Sequence, residues 1–332
     1  MVYIYKKNAG NKSYYYLRAS EKKGKRTIVK DIAYLGTSIE EVKKSLNNLP
    51  KYKDKIRKAY KTLHRVIDSN YYLEKAESLK LKKDNFLGTK LYEVEACRQH
   101  YNSVFQKHDH ATRSEIFKNF VIEFTFNTTS IEGNTISLLE TKNLLGNGLT
   151  PKGKTLREVY DLQNTERAFF ELLGSDEEIS HEFIIKVHSG LMEKIDARLG
   201  YRTTDVRVIN SNFEATPAPY VKTDMNLLLK WYEDNKRSLH PLVLAAIFHH
   251  KFEKIHPFMD GNGRTGRILL NHILMKNNYP PIIVHKTSRD AYMEALREAD
   301  NSKLTRADVK DYSGLVHVTA DEMTESYWNI FL

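Results

Sequence analysis

The chain has 332 residues, 41% hydrophobic and 28% charged, a balance typical of a folded soluble domain that excludes a disordered or collagen-like chain. Its single cysteine, Cys97, rules out an intrachain disulfide and points to a reducing compartment, and no apolar run reaches the length of a membrane span. The formal charge of +10 is uneven: residues 1–100 hold 24 Lys and Arg against 11 Asp and Glu, a net +13, while the remainder holds 28 against 31, a net −3. Such a block suits nucleic acid or an acidic partner, although no named nucleic-acid motif accompanies it and a solvated basic surface is the plainer reading. The opening Met1-Val-Tyr-Ile-Tyr-Lys-Lys has no signal-peptide character, so a cytoplasmic location is expected.

In chain order, Val2 and Ile4, then Tyr14 and Tyr16, then Ile28, Ile32 and Tyr34 alternate at period two around the turn Glu21-Lys-Lys-Gly-Lys25, which predicts a small antiparallel meander. Its interleaved tyrosines and lysines suit base stacking and phosphates, and tyrosines also simply favour strands. Ser38-x-x-Glu41 is a capping box that opens a short helix, and Asn47-Asn-Leu-Pro50 closes it. We therefore expect a basic β-rich module over residues 1–50 and a helical connecting region over 51–110, with Ile56, Tyr60, Leu63 and Val66 on one face.

Further helices are predicted over 111–130, through Ile116, Phe120 and Phe124, and over 138–145, 155–173 and 181–194. The first runs into Thr128-Thr-Ser-Ile-Glu132-Gly133, where the glycine can end it. Val206, Val208 and Phe213 alternate about Asn210-Ser-Asn212, a pattern for a β-hairpin, and helices resume over 220–235 and 241–255. Residues 303–332 read as a short tail.

The densest chemistry lies in His256-Pro-Phe-Met-Asp-Gly-Asn-Gly-Arg-Thr-Gly-Arg267. Gly261, Gly263 and Gly266 let successive N–H groups converge on an anion, and a helix continuing through Lys276 would add its N-terminal dipole. Arg264 and Arg267, three apart, project to one side and can fork onto phosphate oxygens. Asp260 is a hard oxygen ligand suited to Mg²⁺ carrying substrate phosphates, and His256 is a base that titrates near neutrality. Gly261-x-Gly263-x-x-Gly266 is not read as a dinucleotide fingerprint, because a helix rather than a strand precedes it. Nor is it a P-loop, because no Lys-Ser/Thr follows. His249, His250 and His256 lack the spacing and further ligand of a zinc site.

This stretch resembles the signature of the Fic family, His-x-Phe-x-Asp/Glu-Gly-Asn-Gly-Arg-x-x-Arg, with every specified position filled. The resemblance covers about residues 111–300 and implies a mainly α fold, a Fic-type helical core with a β-hairpin flap. Added to it here is the small N-terminal β-rich module, with the catalytic domain spanning 111–332. It implies a protein adenylyltransferase that moves AMP from Mg·ATP to a Ser, Thr or Tyr hydroxyl of a target protein. In those terms His256 is the general base, Asp260 the Mg²⁺ ligand and Phe258 a core anchor. Gly261, Asn262, Gly263, Arg264 and Gly266 hold the phosphates, Arg267 takes the γ-phosphate, and Asn271 and Tyr292 face the nucleoside. Thr128, Glu132 and Gly133 resemble the family's inhibitory motif, on a helix near 115–133, so that Glu132 would pair with Arg267 and obstruct ATP. Residues 204–220 resemble the flap that aligns a target segment by main-chain pairing. A homodimer follows by the same analogy. Two other readings stay open: a hydrolase that removes AMP with Glu132 at the same site, and a nucleic-acid-binding regulator whose Fic core only senses nucleotide.

Overall fold

A computed structural model describes residues 2–10, 12–24, 26–206 and 214–332. Among them are thirteen α-helices and one three-stranded antiparallel sheet of order β1-β2-β3, so the fold is mainly α with a β-rich N-terminus. The strands are β1 (Val2–Ala9), β2 (Lys12–Lys23) and β3 (Arg26–Gly36). Alternation sends Val2, Ile4, Tyr15, Leu17 and Ala19 to one face, where they are buried. Helix α1 (Ile39–Asn47) and the first half of α3 (Tyr60–Ser78) close that face with Ile39, Val42, Leu63 and Ile67. The predicted capping box is only half formed: Ser38 accepts from the Glu41 N–H at 3.3 Å, but Glu41 turns to the Thr37 N–H at 2.6 Å.

The stripe expected from Ile56 to Val66 is broken, because the chain turns at Ala59 between α2 (Lys53–Lys58) and α3. The helical phase restarts there and leaves Tyr60 57% exposed. Leu63 and Ile67 pack on the sheet, whereas Tyr72 and Ala76, two turns on, enter the main core, so α3 joins the two.

The main core is built from α4 (Lys90–Ser103), α5 (His110–Ile131), α7 (Leu156–Leu173), α8 (His181–Met192), α9 (Val221–Asn235), α10 (Pro241–Ile255), α11 (Asn262–Lys276), α12 (Arg289–Ala299) and α13 (Val309–Ile330), with α6 (Leu138–Asn147) set against α5 and α7. Starts are marked by side chains: Asp109 caps α5, and Ser137 with Glu140 and Thr155 with Glu158 form full capping boxes. Every residue from Leu242 to Phe252 and from Asn262 to Leu274 is buried, so α10 and α11 are the central pair. The signature links them, and its chemistry therefore sits in the interior.

The segment 303–332, expected as a tail, holds the 22-residue helix α13. Tyr312, Leu315, Val316, Ala320, Met323 and Tyr327 recur at helical spacing and fill the core beside α4, α10 and α12. The expected hairpin falls on 207–213, outside the described residues; its flanks, 204–206 and 214–217, have no regular structure. Among the described residues no helix is long and apolar enough to cross a membrane.

Candidate active site

Helix α10 ends where His256 takes a left-handed conformation, φ 52 and ψ 60, with its N–H still bonded to the Phe252 carbonyl at 3.0 Å. Pro257 cannot continue the helix, and the loop turns back along it. Two side chains fix that loop. Asn262 accepts from the Phe258 N–H and donates to its carbonyl, each at 2.9 Å, and Arg202 donates to the His256 carbonyl at 2.8 Å. Phe258 is fully buried and lies parallel to His188, ring centres 3.6 Å apart; His188 in turn meets the Asp260 carbonyl at 3.0 Å.

Gly261 then caps α11 at φ 74, in a place where a Cβ would lie 2.8 Å from the Met192 sulfur. The first turn of α11 presents N–H groups with no intrahelical acceptor. The Glu132 carboxylate lies beside this turn, so close to Gly263 that a Cβ there would overlap it. The expected pair with Arg267 is present. Arg267 donates to Glu132 Oε1 at 2.8 Å, and also to Thr128, to its hydroxyl at 2.6 Å and its carbonyl at 3.0 Å. Gly133, at φ 101, turns the chain away after α5, so the helix-ending and ion-pairing readings of this motif hold together.

Arg264 is buried and salt-bridged to Asp161 of α7, while its Nε has no partner among the described residues. Asp260 accepts from the Gly261 N–H at 2.6 Å and is salt-bridged to the exposed Arg157. Burial opposes ionisation of Asp260, but Arg264, that N–H and Arg157 together hold its carboxyl below the ordinary value. This is one hard carboxylate beside a helix start, which fits a Mg²⁺ that takes its other ligands from water and phosphate. No set of three His, Cys, Asp or Glu side chains gathers into a cage among the described residues.

Burial lowers the pKa of the His256 imidazole, partly countered by the charge of Glu132 and a hydrogen bond to the Glu253 main chain. It is therefore neutral near pH 7 and able to take a proton. From Asp260 a cleft of about 350 Å³ runs past Met259, Thr204 and Tyr201 to Asp196.

The two residues expected at the nucleoside both have partners within the protein. Asn271 is buried, with its amide donating to the carbonyls of Arg267 and Ile282 and accepting from the Ile282 N–H. Tyr292 is buried and hydrogen-bonded to His249. Asn271 thereby ties α11 to the segment at Ile282, and Tyr292, on α12, joins His249 of α10 and lies within reach of the Arg267 charge. His249 and His250 enter separate networks, the second with Tyr312 and Asp300.

Sequence reasoning missed Asp161, Arg157, His188, Arg202 and Glu253. Glu253 is the most unusual, because burial pushes its carboxyl up to about 8, with Arg267 opposing and Glu132 adding to the rise. Its Oε1 and the His249 Nδ1, 3.9 Å apart, have no hydrogen-bond partner among the described residues. Both approach Gly266, where a Cβ would lie 2.6 Å from each. Glu253 stands three residues before His256 within an apolar helix, a lone acid whose position was the available signal.

The central helix pair and the glycine-started α11 with its paired arginines carry the Fic-type signature. Residues 178–274, from just before α8 to the end of α11, match the profile of the Fic/DOC family, and the chain carries a Fic domain over this span. Among curated relatives, protein adenylyltransferase fic-1 of Caenorhabditis elegans is 29% identical over 252 residues, which are 71% of this chain and 49% of the relative. Protein adenylyltransferase Fic of Drosophila grimshawi is 32% identical over 197 residues, 56% of this chain and 40% of the relative. The chain thus spans about half the length of these relatives or less. A Fic-domain-containing signaling protein from Bacteroides thetaiotaomicron superposes with TM-score 0.65 at 24% identity, over 72% of this chain and 96% of that one. A fragment of Fic-1 from C. elegans gives 0.61 at 23% identity, over 90% and 88%. These likenesses are of fold.

Proposed function

We propose that this protein is an adenylyltransferase that moves AMP from Mg·ATP to a Ser, Thr or Tyr hydroxyl of a target protein, and that Glu132 holds it inactive. The observation that carries the reading is the Glu132 carboxylate bonded to Arg267 over the N-terminal turn of α11, where an anionic phosphate would otherwise be received. In this reading residues 111–332 are the catalytic domain, joined through 51–110 to the basic module of 1–50. Arg267 takes the γ-phosphate, and Gly261, Asn262, Gly263, Arg264 and Gly266 supply main-chain and guanidinium donors to the rest.

The target hydroxyl enters from the side of residues 204–220, along the cleft beside Asp260. His256 accepts its proton as the oxygen bonds to the α-phosphorus, and the bond to pyrophosphate breaks in line with it. Asp260 would hold a Mg²⁺, which would supply positive charge to the phosphate oxygens. Arg202, by fixing the His256 carbonyl, keeps the base aimed. A cytoplasmic setting accords with the free, buried Cys97, and a homodimer is carried over by analogy. The partner of the basic N-terminal third is nucleic acid or an acidic protein.

One observation favours a second reading. The charge of Glu132 also reaches the His256 ring, so the same carboxylate could orient a water for removal of AMP. Transfer of label from α-³²P-ATP tests both. Glu132→Gly should label protein where wild type does not, and adding His256→Ala should reduce that labelling about 10²- to 10⁴-fold. Retained transfer without His256 would end the assignment of the base. Loss of AMP removal in Glu132→Gly, with no labelling gained, would favour the hydrolase.

A further inference from the structure

The N-terminal sheet has one face covered and one open. Its covered face packs on α1 and α3 through Val2, Ile4, Tyr15 and Leu17, which makes the sheet a supported surface. Opposite residues in the ladder are Tyr5 with Tyr16 and Tyr16 with Tyr34, so three tyrosines form one row across all three strands on the open face. The rings of Tyr16 and Tyr34 are 5.4 Å apart, and Tyr34 is 54% exposed. Arg18, on the same face, lies 3.3 Å over the Tyr5 ring and is paired with Asp31.

Charge surrounds this row. Residues 2–36 contain nine Lys and Arg against Glu21 and Asp31. Lys7 and Lys12 stand at the turn between β1 and β2, and Lys22 and Arg26 at the turn between β2 and β3, so both ends of the sheet are basic.

We infer that this open face binds single-stranded nucleic acid, with one or two unpaired bases stacked on Tyr16 and Tyr34, beside a Tyr5 already covered by Arg18, and the phosphates held by the basic side chains at either end. Tyr16 and Tyr34 stand on neighbouring strands about 4.8 Å apart, which gives room for one or two splayed bases. Stacking on tyrosine requires a free base face, and a duplex offers none. Reading a duplex by base edges would need unengaged donors in the middle of the face, whereas Arg18 is taken up by Asp31 and Tyr5. No residue of the cleft takes part, so the inference is independent of the transfer reaction.

The test uses the full chain and a fluorescein-labelled 12-nucleotide dT oligomer, followed by anisotropy. Binding should weaken about 20- to 50-fold between 50 and 200 mM salt, as expected for about three or four phosphate contacts. Tyr34→Ala, at an exposed position that leaves the fold intact, should weaken it about 5- to 150-fold, and Tyr34→Phe should retain it. Glu132→Gly and His256→Ala should bind like wild type. Four outcomes would each overturn the inference: no binding at 50 mM salt, a duplex of equal length competing as well as the single strand, indifference to Tyr34→Ala, or loss of binding in the His256→Ala variant.

Discussion

Arg264 and Arg267 lie one turn apart on α11, and each meets a carboxylate from another helix, but the two pairs are built differently. Asp161 sits mid-helix on α7, its side chain 14% exposed, against an Arg264 that is 3% exposed. A residue held by a helix on both sides cannot withdraw without unwinding it. Glu132 follows the last residue of α5, is 32% exposed, and leads into a glycine at φ 101. It also places a negative charge at the negative end of its own helix, an arrangement offset by Arg267 and by the N-terminus of α11. Arg267 meanwhile keeps Thr128 as a second partner. The contrast separates a carboxylate that fixes the site from one that can leave it.

The contrast breaks most openly in stability. Asp161→Ala leaves the buried Arg264, among the described residues, only the more distant carboxylate of Asp260, 3.9 Å away, and should lower the free energy of unfolding by up to about 3–5 kcal/mol. Glu132→Gly removes a partly exposed partner from a buried arginine that retains Thr128, and should lower it by less than Asp161→Ala does. Denaturant melts of the two variants measure this directly. Equal losses would mean that Glu132 is as architectural as Asp161.

A smaller effect involves the proton on Glu253. Its carboxyl, raised by burial to about 8, keeps a proton in the folded chain that the unfolded chain releases near the ordinary carboxyl value of about 4.3. The associated stability is whole below that value and is lost as pH rises towards 8. Glu253→Gln carries no such proton, so its advantage over wild type should be about 1 kcal/mol at pH 5 and grow to a few kcal/mol at pH 8. Because the Glu132 charge adds to the rise, Glu132→Gly should flatten the same pH dependence. Thermal scans at the two pH values that run parallel for wild type and Glu253→Gln would remove Glu253 as a proton carrier.

What could be read from the sequence follows from how local each feature is. The loop from His256 to Arg267 is contiguous, and the glycines and arginines within twelve residues declare an anion site before any fold is known. The Glu132–Arg267 pair, 135 positions apart, was legible only because a second motif pointed to it. Asp161 and Arg157, each 103 positions from its partner, have no such marker, and their roles exist only once α7 packs beside α11. Asn271 and Tyr292 are singled out by resemblance alone, and the main-chain and His249 bonds they make could not be read from the sequence. Helix α13 was within reach, since Leu315, Ala320, Met323 and Tyr327 recur at its period. The phase reset at Ala59 was not, because nothing in the local composition marks a break there.

The subtlest expected effect concerns nucleotide affinity. Glu132 Oε1 engages Arg267 while the same carboxylate lies on Gly263, so in the proposed enzyme it competes for the ground of the γ-phosphate. An intramolecular competitor of this kind is typically worth about 1–3 kcal/mol, and Glu132→Gly should therefore tighten Mg·ATP binding about 5- to 150-fold. ADP lacks the phosphate that would pair with Arg267, so its affinity should rise much less. Calorimetric titration of both nucleotides into wild type and variant gives the ratio. A large gain for ATP alone would locate the obstruction at Arg267, whereas equal gains would move it to the N–H groups of α11, where any phosphate feels it.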